Sequence, residues 1–296
     1  MGKFIKDCVI IGGGPAGLTA ALYLARFLRS VTVFDARQGR ARMIPKTHNF
    51  APFPDGISGP DLLTQMQSHA ERYGAVIENC TVESVERQGD GYCVTTDRGS
   101  EIARYVIFAA GVVNHRPPLP DAVHDRGVAK GLIHYCPVCD AYEVRDKRIA
   151  VLGSGTHGLA EANFIRDYSS AVTLIRPNGD RPLSVDEIHI SESPMSSLSL
   201  SESEVIVTLE DSTVAHFDTI YIALGTSACS KLAETLGVPL AEDGCIVTGG
   251  QRETSIDGVY AIGDITDGLD QIAHAMGQAA IAATAIHNDI LGKDQS

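Results

Sequence analysis

Apolar residues along this chain form two kinds of pattern near its start. Residues 8–11 and 31–34 are short, continuous apolar runs, which are typical of strands buried on both faces. Between them, residues 16–27 repeat their apolar side chains every three or four positions and so predict a helix with one buried stripe. We therefore predict a strand, a glycine-rich turn, a helix and a second strand over residues 6–36.

The same order of elements recurs in the middle of the chain. A strand is predicted over 148–153, a helix over about 157–168 and a strand over 171–175. Two similar units at a fixed offset indicate two nucleotide-binding halves rather than a solenoid. Further elements are expected as a helix over 60–73, strands near 75–85, 92–97, 101–108, 204–209, 217–224 and 258–264, and an Ala-rich helix over 271–290.

Three stretches predict loops or joints. Residues 112–120 carry three prolines and indicate a linker, and residues 237–244 indicate a second hinge. Residues 191–203 are rich in serine and acidic residues, which favours an exposed loop or a sheet edge.

Composition narrows the class of protein. The 296 residues suffice for two domains, and the net charge of −13 argues against nucleic acid and against anionic membrane surfaces as partners. No apolar run reaches the length of a bilayer, and the chain enters its first strand almost at once, so we expect neither a signal peptide nor a membrane span. Seven mostly scattered cysteines are unlike a secreted disulfide framework, which predicts a cytoplasmic protein.

The first turn carries a dinucleotide-binding pattern. Gly12, Gly14 and Gly17 follow a strand and open a helix, and Asp35 ends the next strand. Glycines allow a pyrophosphate to approach the backbone at the helix N-terminus, and a carboxylate at that position accepts hydrogen bonds from a ribose diol. The second unit has a comparable loop, with Gly153, Gly155, Thr156 and His157 as candidate contacts.

The residues between the two glycine loops include the only CxxC of the chain, Cys136 to Cys139, followed by Asp140. Cysteines at this spacing close a small ring that exchanges with other thiols. Half of a zinc site and a pair of inert core thiols are the alternatives, but no second CxxC is present, and we predict no metal. We expect the five other cysteines to be mainly buried apolar residues.

These motifs, in this order, resemble the low-molecular-weight thioredoxin-reductase type of flavoprotein. The resemblance covers nearly the whole chain and includes the Ala109-Ala110-Gly111 turn and Gly263-Asp264. It implies an α/β fold with two Rossmann-like, three-layer nucleotide-binding domains, the second inserted into the first. The FAD domain would comprise residues 1–113 and 246–296, and residues 118–242 would carry the redox disulfide. It also implies a homodimer.

The resemblance assigns roles position by position. Cys139 would face the flavin, Cys136 would attack the substrate disulfide, and Asp140 would act as general acid and base. Asp35 would hold the adenosine ribose, Asn49 would lie near the flavin, and Asp264 would bind the ribityl chain. The full set implied to bind FAD is Gly12, Gly14, Pro15, Ala16, Gly17, Asp35, Asn49, Val82, Ala110, Gly111, Gly263, Asp264, Gln271 and Ile272. The family arginine before that glutamine is Asp270 here.

The second nucleotide site departs from the family pattern, because the basic run that holds the 2′-phosphate of NADPH is absent. Arg176 and Arg181 are the remaining candidates for a phosphate clamp, and no acidic residue at the strand end favours NADH. NADPH, ferredoxin and a second flavin all stay open as electron donors.

The substrate and the direction of electron flow stay open as well. A disulfide reductase would act on thioredoxin or on a small disulfide, whereas a related flavin dithiol oxidase would use oxygen. The oxidases generally have histidine after the CxxC, and Asp140 favours the reductase direction. A redox-sensing flavoprotein without turnover is the alternative from another class.

Four histidines are candidates for chemistry. His274 is predicted near the flavin, where it would tune the ring or act as a base, and His48 lies in the loop before Asn49. His134 precedes the CxxC and would stabilise a thiolate, and His157 would line the second glycine loop. For His48 and His134 the ordinary alternative, a polar residue without a role, is the stronger one.

Overall fold

A computed structural model describes residues 5–177 and 188–294. They divide into two compact units. The first unit consists of the described parts of residues 1–42, 59–113 and 227–296, and the second of those of residues 43–58 and 114–226. The chain is α/β, as predicted, with one unit built from residues inserted into the sequence of the other.

The described residues form helices and strands in the following order. The strands are β1 Ile5–Ile11, β2 Val31–Phe34, β3 Val76–Glu78, β4 Val82–Gln88, β5 Gly91–Thr96, β6 Gly99–Phe108, β7 Val112–Asn114, β8 Ile133–His134, β9 Ile149–Gly153, β10 Val172–Ile175, β11 His189–Ile190, β12 Met195–Leu200, β13 Val205–Leu209, β14 Val214–Phe217, β15 Thr219–Ala223, β16 Thr226–Ala228 and β17 Val259–Ala261. The helices are α1 Pro15–Arg26, α2 Gly59–Glu71, α3 Asp121–Ala129, α4 Pro137–Asp140, α5 Gly155–Arg166, α6 Lys231–Leu236 and α7 Ile272–Asp294. No helix of this part of the chain is long and apolar enough to cross a membrane.

The first unit is organised around one mixed sheet. Strands β3, β2, β1 and β6 are parallel neighbours, β17 pairs in parallel with β6, and β5 and β4 extend the sheet in the antiparallel sense. All four residues of β2 are buried, as its unbroken apolar run predicts. The parallel strands bring their carboxyl ends, and the glycine turns that follow them, to a single edge.

Small side chains hold two helices close together in this unit. Ala20 and Ala21 of α1 and Ala279 and Ala283 of α7 are fully buried and belong to one apolar cluster. Alanine allows helix backbones to approach closely, and its high helix propensity suits a long helix. The Ala-rich pattern thus predicted the helix and also explains its packing.

The second unit has a parallel sheet in the order β11-β10-β9-β15-β8. Strands β9 and β15 are buried along their whole length. Residues 195–200, within the stretch predicted as an exposed loop or edge, form β12, the edge strand of a second, antiparallel sheet of β12, β13 and β14. The edge is therefore the alternative that the structure shows. The side chains of Met195 and Leu198 are buried, and a register irregularity between Met195 and Ser197 allows two exposed serines to lie between them.

Both predicted joints contain regular structure. Residues 112–120 include β7 and lead directly into α3, and α6 ends at Gly237, whose φ of 92° is the left-handed conformation that glycine adopts easily. The compact units change over between residues 113 and 114 and between 226 and 227, so the second boundary falls before the predicted residue 242. Residues 43–58 also group with the second unit, in contrast to the predicted extent of 1–113 for the FAD domain.

Candidate functional site

The first glycine loop is closed by a contact between its own glycines. A Cβ added to Gly17 would lie 1.9 Å from the carbonyl oxygen of Gly12, so only glycine fits there. A Cβ added to Gly14 would meet no described atom within 4 Å. Gly14 caps α1, and no side chain in the described ranges completes that cap. The backbone N–H groups at this end of α1 are therefore presented to a ligand.

Asp35 lies directly beside this loop. A Cβ on Gly13 would fall 2.5 Å from the Asp35 carboxyl carbon, and Asp35 is itself buried. The Asp35 carboxylate accepts hydrogen bonds from the Arg37 backbone N–H at 2.9 Å and from Arg42 Nη2 at 3.2 Å. The carboxylate expected to bind the ribose thus adjoins the glycine loop and is held by two donors.

Three of the other predicted FAD residues of this unit, Ala110, Gly111 and Gly263, adjoin the loop. A Cβ on Gly12 would lie 2.3 Å from the Ala109 carbonyl oxygen, which places Ala110 and Gly111 next to the loop. Gly263 has a φ of 76° and packs against Ala16. Val82 lies at the start of β4, Pro15 is the first residue of α1, and Gln271 and Ile272 begin the α7 segment.

Arg40 holds the two acidic residues at this edge. Its Nη2 donates to Asp264 and to Asp270, each at 3.0 Å. Burial raises the pKa of Asp264 above its ordinary value, and Arg40 opposes this shift. The sequence pattern of the family has an arginine where this chain has Asp270; here an arginine reaches Asp270 from residue 40.

His274 has a hydrogen-bonding role in place of a free base. Its Nδ1 donates to the Leu269 carbonyl at 2.7 Å, since a carbonyl oxygen only accepts. Its Nε2 therefore accepts from the Gln278 amide at 3.2 Å, and Gln278 Oε1 accepts from the Gly263 N–H at 2.6 Å. The ring links α7 to the Gly263-Asp264 turn.

These residues fit the pyrophosphate and ribose of FAD. The fit rests on the open space above Gly14, on the N-terminal N–H groups of α1 and on the carboxylates of Asp35 and Asp264. Asn49 groups with the second unit. Its side-chain amide donates to the Val138 carbonyl, inside the CxxC, at 3.3 Å.

The second glycine loop repeats the closure of the first. A Cβ on Gly158 would lie 2.7 Å from the Gly153 carbonyl carbon. Gly155 has a φ of 57°, and a Cβ there would meet no described atom within 4 Å. Thr156 and His157 follow in the first turn of α5. The backbone is therefore shaped to accept a pyrophosphate here as well.

Arg176, one of the two candidates for the phosphate clamp, is buried, and its guanidinium donates to the backbone carbonyls of Ser191 and Glu192. These contacts tie its side chain to the chain segment beside β11. Arg181, the other candidate, lies outside the described residues.

Cys136 and Cys139 form a disulfide, with their Cα atoms 5.2 Å apart. Helix α4 runs from Pro137 to Asp140 only, so it supplies at most a weak dipole to the cysteines. The Val138 side chain between the two cysteines is 47% exposed, and both cysteines are half-buried. A disulfide in this environment is typical of a reversible redox pair.

Asp140 is held by two neighbours within the second unit. Tyr221 of β15 donates its hydroxyl to Asp140 Oδ1 at 2.7 Å, and His134 Nδ1 lies 2.5 Å from Asp140 Oδ2. The rings of His134 and Tyr221 stack, with centroids 4.9 Å apart. Burial raises the pKa of Tyr221 well above its ordinary range, and the charge of Asp140 adds to this shift, so the Tyr221 hydroxyl keeps its proton.

Glu161 of α5 is a further acidic group of this unit. Burial raises its pKa to about 7, and its Oε2 is buried with no hydrogen-bond partner among the residues described. The other oxygen, Oε1, lies 3.3 Å from His157 Nε2. The charge of Glu161 also contributes to the raised pKa of Tyr221, which places Glu161 near the Asp140 cluster.

Sequence reasoning missed Tyr221 and Glu161. Tyr221 lies in an apolar run whose pattern predicts only a strand. Nothing in that pattern indicates that the Tyr221 hydroxyl contacts Asp140 at the end of α4. Glu161 follows the buried Gly158 by three positions and precedes the buried Ile165 by four, and His157 lies four positions before it on the same helix face. A glutamate on that face was the available signal.

Comparison with known proteins gives concordant matches. The family model described as "pyridine nucleotide-disulphide oxidoreductase" matches residues 6–279. A thioredoxin reductase of Streptomyces clavuligerus is 31% identical over 94% of this chain and 90% of its own length. A thioredoxin reductase of Mycolicibacterium smegmatis is 30% identical over 94% of this chain and 92% of its own length.

Solved structures also match over almost the whole chain. The crystal structure of thioredoxin reductase from Streptococcus pyogenes has a TM-score of 0.88 and 28% identity, covering 97% of this chain and 99% of that one. The crystal structure of HlmI has a TM-score of 0.89 and 27% identity, and the match covers 99% of this chain and 96% of that one.

Proposed function

Since the chain belongs to the pyridine nucleotide-disulphide oxidoreductase family, we propose that it moves electrons from a reduced pyridine nucleotide, through FAD and the Cys136–Cys139 pair, to the disulfide of a thioredoxin-like protein. It is a flavoprotein disulfide reductase of the thioredoxin-reductase type. The observation that carries the proposal is the disulfide with Asp140 held beside it.

FAD, when bound, supplies the two-electron step between the nucleotide and the cysteines. The residues of this chain that would hold it are the glycines at the start of α1, with Asp35 and Asp264. Arg40 and Arg42 keep these two carboxylates in place before the cofactor arrives.

The cysteines perform the exchange with the substrate. In the reduced protein, the Cys136 thiolate attacks one sulfur of the substrate disulfide, so a mixed disulfide forms and a substrate thiolate leaves with a proton from Asp140. Cys139 then attacks Cys136 Sγ, the internal disulfide closes again, and the second substrate thiolate is released and protonated.

We infer weak discrimination between NADPH and NADH at the second glycine loop. The loop offers backbone donors for a pyrophosphate, whereas Arg176 faces the carbonyls of Ser191 and Glu192. Arg176 therefore supplies no charge for the 2′-phosphate that distinguishes the two nucleotides.

The first experiment adds NADPH or NADH anaerobically to the FAD-loaded protein and follows the flavin absorbance. We expect both to bleach the flavin, with rate constants within about tenfold of each other, since a full phosphate clamp would contribute more than about 1.4 kcal/mol. A preference for NADPH above about 100-fold would contradict this and assign the contact to Arg181, tested with Arg181→Ala.

A second arm tests the dithiol route. Dithiothreitol should bleach the flavin of the wild-type protein, and Cys139→Ser should abolish this while the protein keeps FAD. If dithiothreitol bleaches the flavin and neither nucleotide does, the donor is a ferredoxin or a second flavin. Full disulfide turnover by Cys139→Ser would refute the mechanism, and hydrogen peroxide formed from dithiol and oxygen at the turnover rate would favour an oxidase.

A further inference from the structure

The ring of His134 has a fixed proton position. Its Nε2 lies 2.9 Å from the Gly131 carbonyl oxygen, which only accepts hydrogen bonds. Nε2 therefore carries a hydrogen whatever the charge of the ring. The other nitrogen, Nδ1, is left to face Asp140.

The contact between His134 and Asp140 contains one proton. Nδ1 and Asp140 Oδ2 lie 2.5 Å apart, and an ionised carboxylate and a bare Nδ1 would both be acceptors at that distance. Either the carboxyl is protonated and the ring is neutral, or the ring is charged and the carboxylate is ionised. In both cases a single movable proton lies between the two side chains.

The two oxygens of Asp140 have different neighbours. Tyr221 donates to Oδ1, so Oδ2 remains the oxygen that exchanges with His134. The His134 side chain is 12% exposed and that of Asp140 is 29% exposed, so the carboxyl is the more accessible of the two. Asp140 directly follows Cys139 in α4, and His134 is two residues before Cys136.

We propose that His134 stores the proton that Asp140 exchanges with the cysteine pair, so that a relay of two residues serves the disulfide. This inference rests on the proposed function. His134 is a positioning residue in this scheme, because it acts through Asp140 and not on sulfur.

The relay balances protons over one turnover. The two cysteine thiols lose two protons as the internal disulfide forms, and the two substrate thiolates gain two. Cys136 loses its proton to solvent as its thiolate forms. Asp140 passes the single proton that it shares with His134 to the first substrate thiolate, and the proton that Cys139 loses as it attacks replaces it between the two side chains. The second substrate thiolate takes one proton from solvent, so the pair is restored. The sulfur chemistry oxidises the protein dithiol and reduces the substrate disulfide.

The charged groups around the relay come from three further elements. Tyr221 belongs to β15, Glu161 to α5 and Glu143 to the turn after α4, and the charges of the two glutamates act on Tyr221 together with that of Asp140. The pH dependence of the relay is therefore measured in the presence of the nearby carboxyl groups of Glu143 and Glu161.

The test measures the rate of flavin reduction by dithiothreitol between pH 5.5 and 9 for the FAD-loaded protein. His134→Asn keeps an amide donor near Asp140 and removes the exchangeable proton. We expect a rate about tenfold lower, a changed pH profile and recovery of the rate on adding imidazole. His216→Asn is the control, since His216 pairs with Glu204 on the surface of the same unit.

A double-variant cycle separates a relay from a structural role. His134→Asn should cost about tenfold in the wild-type background and less than about twofold when Asp140→Asn is already present. An equal loss in both backgrounds, with an unchanged pH profile and no imidazole effect, would overturn the inference. If His134→Asn does not fold, as judged by thermal unfolding, His134→Gln is measured in its place. A wild-type protein that dithiothreitol fails to reduce would overturn the proposed function and this inference with it.

Discussion

The two glycine loops of this protein share a backbone and differ in charge. In both, the last glycine packs on the first: Gly17 on the Gly12 carbonyl, and Gly158 on Gly153. After the first loop, Asp35 lies beside the glycines and is held by Arg42. After the second, the residue at the end of the strand is Arg176, which is turned to backbone carbonyls.

This difference teaches which part of a nucleotide site the backbone determines. Closely packed glycines and a helix N-terminus are sufficient to accept a pyrophosphate, so both loops qualify. The ribose and its phosphate are recognised by side chains at the end of the next strand, and there the first loop has the carboxylate of Asp35 while the second has Arg176, which donates to backbone carbonyls.

The largest effect is expected from the closing glycines. Gly17→Ala and Gly158→Ala each force a Cβ against backbone, and we expect each to lower the free energy of unfolding by more than about 3 kcal/mol. The matched control is Gly14→Ala, whose added Cβ meets open space in the structure described. Thermal unfolding of the apoprotein measures the stability of all three variants.

Gly14→Ala should still impair the first loop in another way. The methyl group occupies the space where the pyrophosphate approaches, so we expect FAD affinity to fall about 10- to 100-fold with less than about 1 kcal/mol lost in apoprotein stability. Titration of the apoprotein with FAD by flavin fluorescence gives the affinity. Wild-type affinity in Gly14→Ala would show that the cofactor does not approach this glycine.

Arg176→Met tests the claim that this arginine is structural. Two backbone carbonyls would lose a charged donor inside the protein, which should cost about 2–3 kcal/mol of unfolding free energy, measured by urea denaturation. Lys130→Met, which removes a surface ion pair with Glu202, should cost less than about 1 kcal/mol. A stable Arg176→Met protein whose KM rises for NADPH but not for NADH would reassign Arg176 to the nucleotide.

Glu161→Gln should give the smallest effect, and one that depends on pH. The pKa of Glu161 is raised in the folded protein to about 7 from 4.5, so its contribution to stability is present below pH 4.5 and is lost as pH rises through about 7. We therefore expect Glu161→Gln to be more stable than wild type by about 1–2 kcal/mol at pH 8, and to gain little at pH 4.5.

The control for this prediction is Glu210→Gln, because Glu210 is an exposed glutamate of the same unit. Urea denaturation at the two pH values measures all three proteins. Parallel stability curves for Glu161→Gln and wild type would mean that Glu161 is solvated, with both oxygens paired by water.

The nucleotide-binding architecture was predictable from the sequence because its determinants are local. Strand 31–34 was predicted and is β2, and the helices after both glycine loops begin within two residues of their predicted starts. Each depends on an apolar period and on adjacent glycines, which a single sequence contains.

The parts that sequence reasoning missed depend on distant neighbours. Whether Arg176 faces a nucleotide or a carbonyl is decided by residues 189–192, where β11 returns to pair with β10. The link from Tyr221 to Asp140 forms only when the ends of β15 and α4 meet. Neither distance along the chain nor residue type indicates such a pair.

The first unit is built from segments that lie on both sides of the second unit in the sequence, and this affects how the chain folds during synthesis. The first unit needs β17 beside β6 and α7 against α1, and both partners lie within residues 227–294. A ribosome releases these residues after residues 114–226, so the first unit cannot complete its sheet until they have emerged. Most of the second unit, residues 114–226, emerges earlier and has only residues 43–58 to recover from the chain already exposed. Co-translational folding is therefore expected to begin in the inserted unit, and the sheet around the N-terminal glycine loop to be completed only after residues 227–294 have emerged.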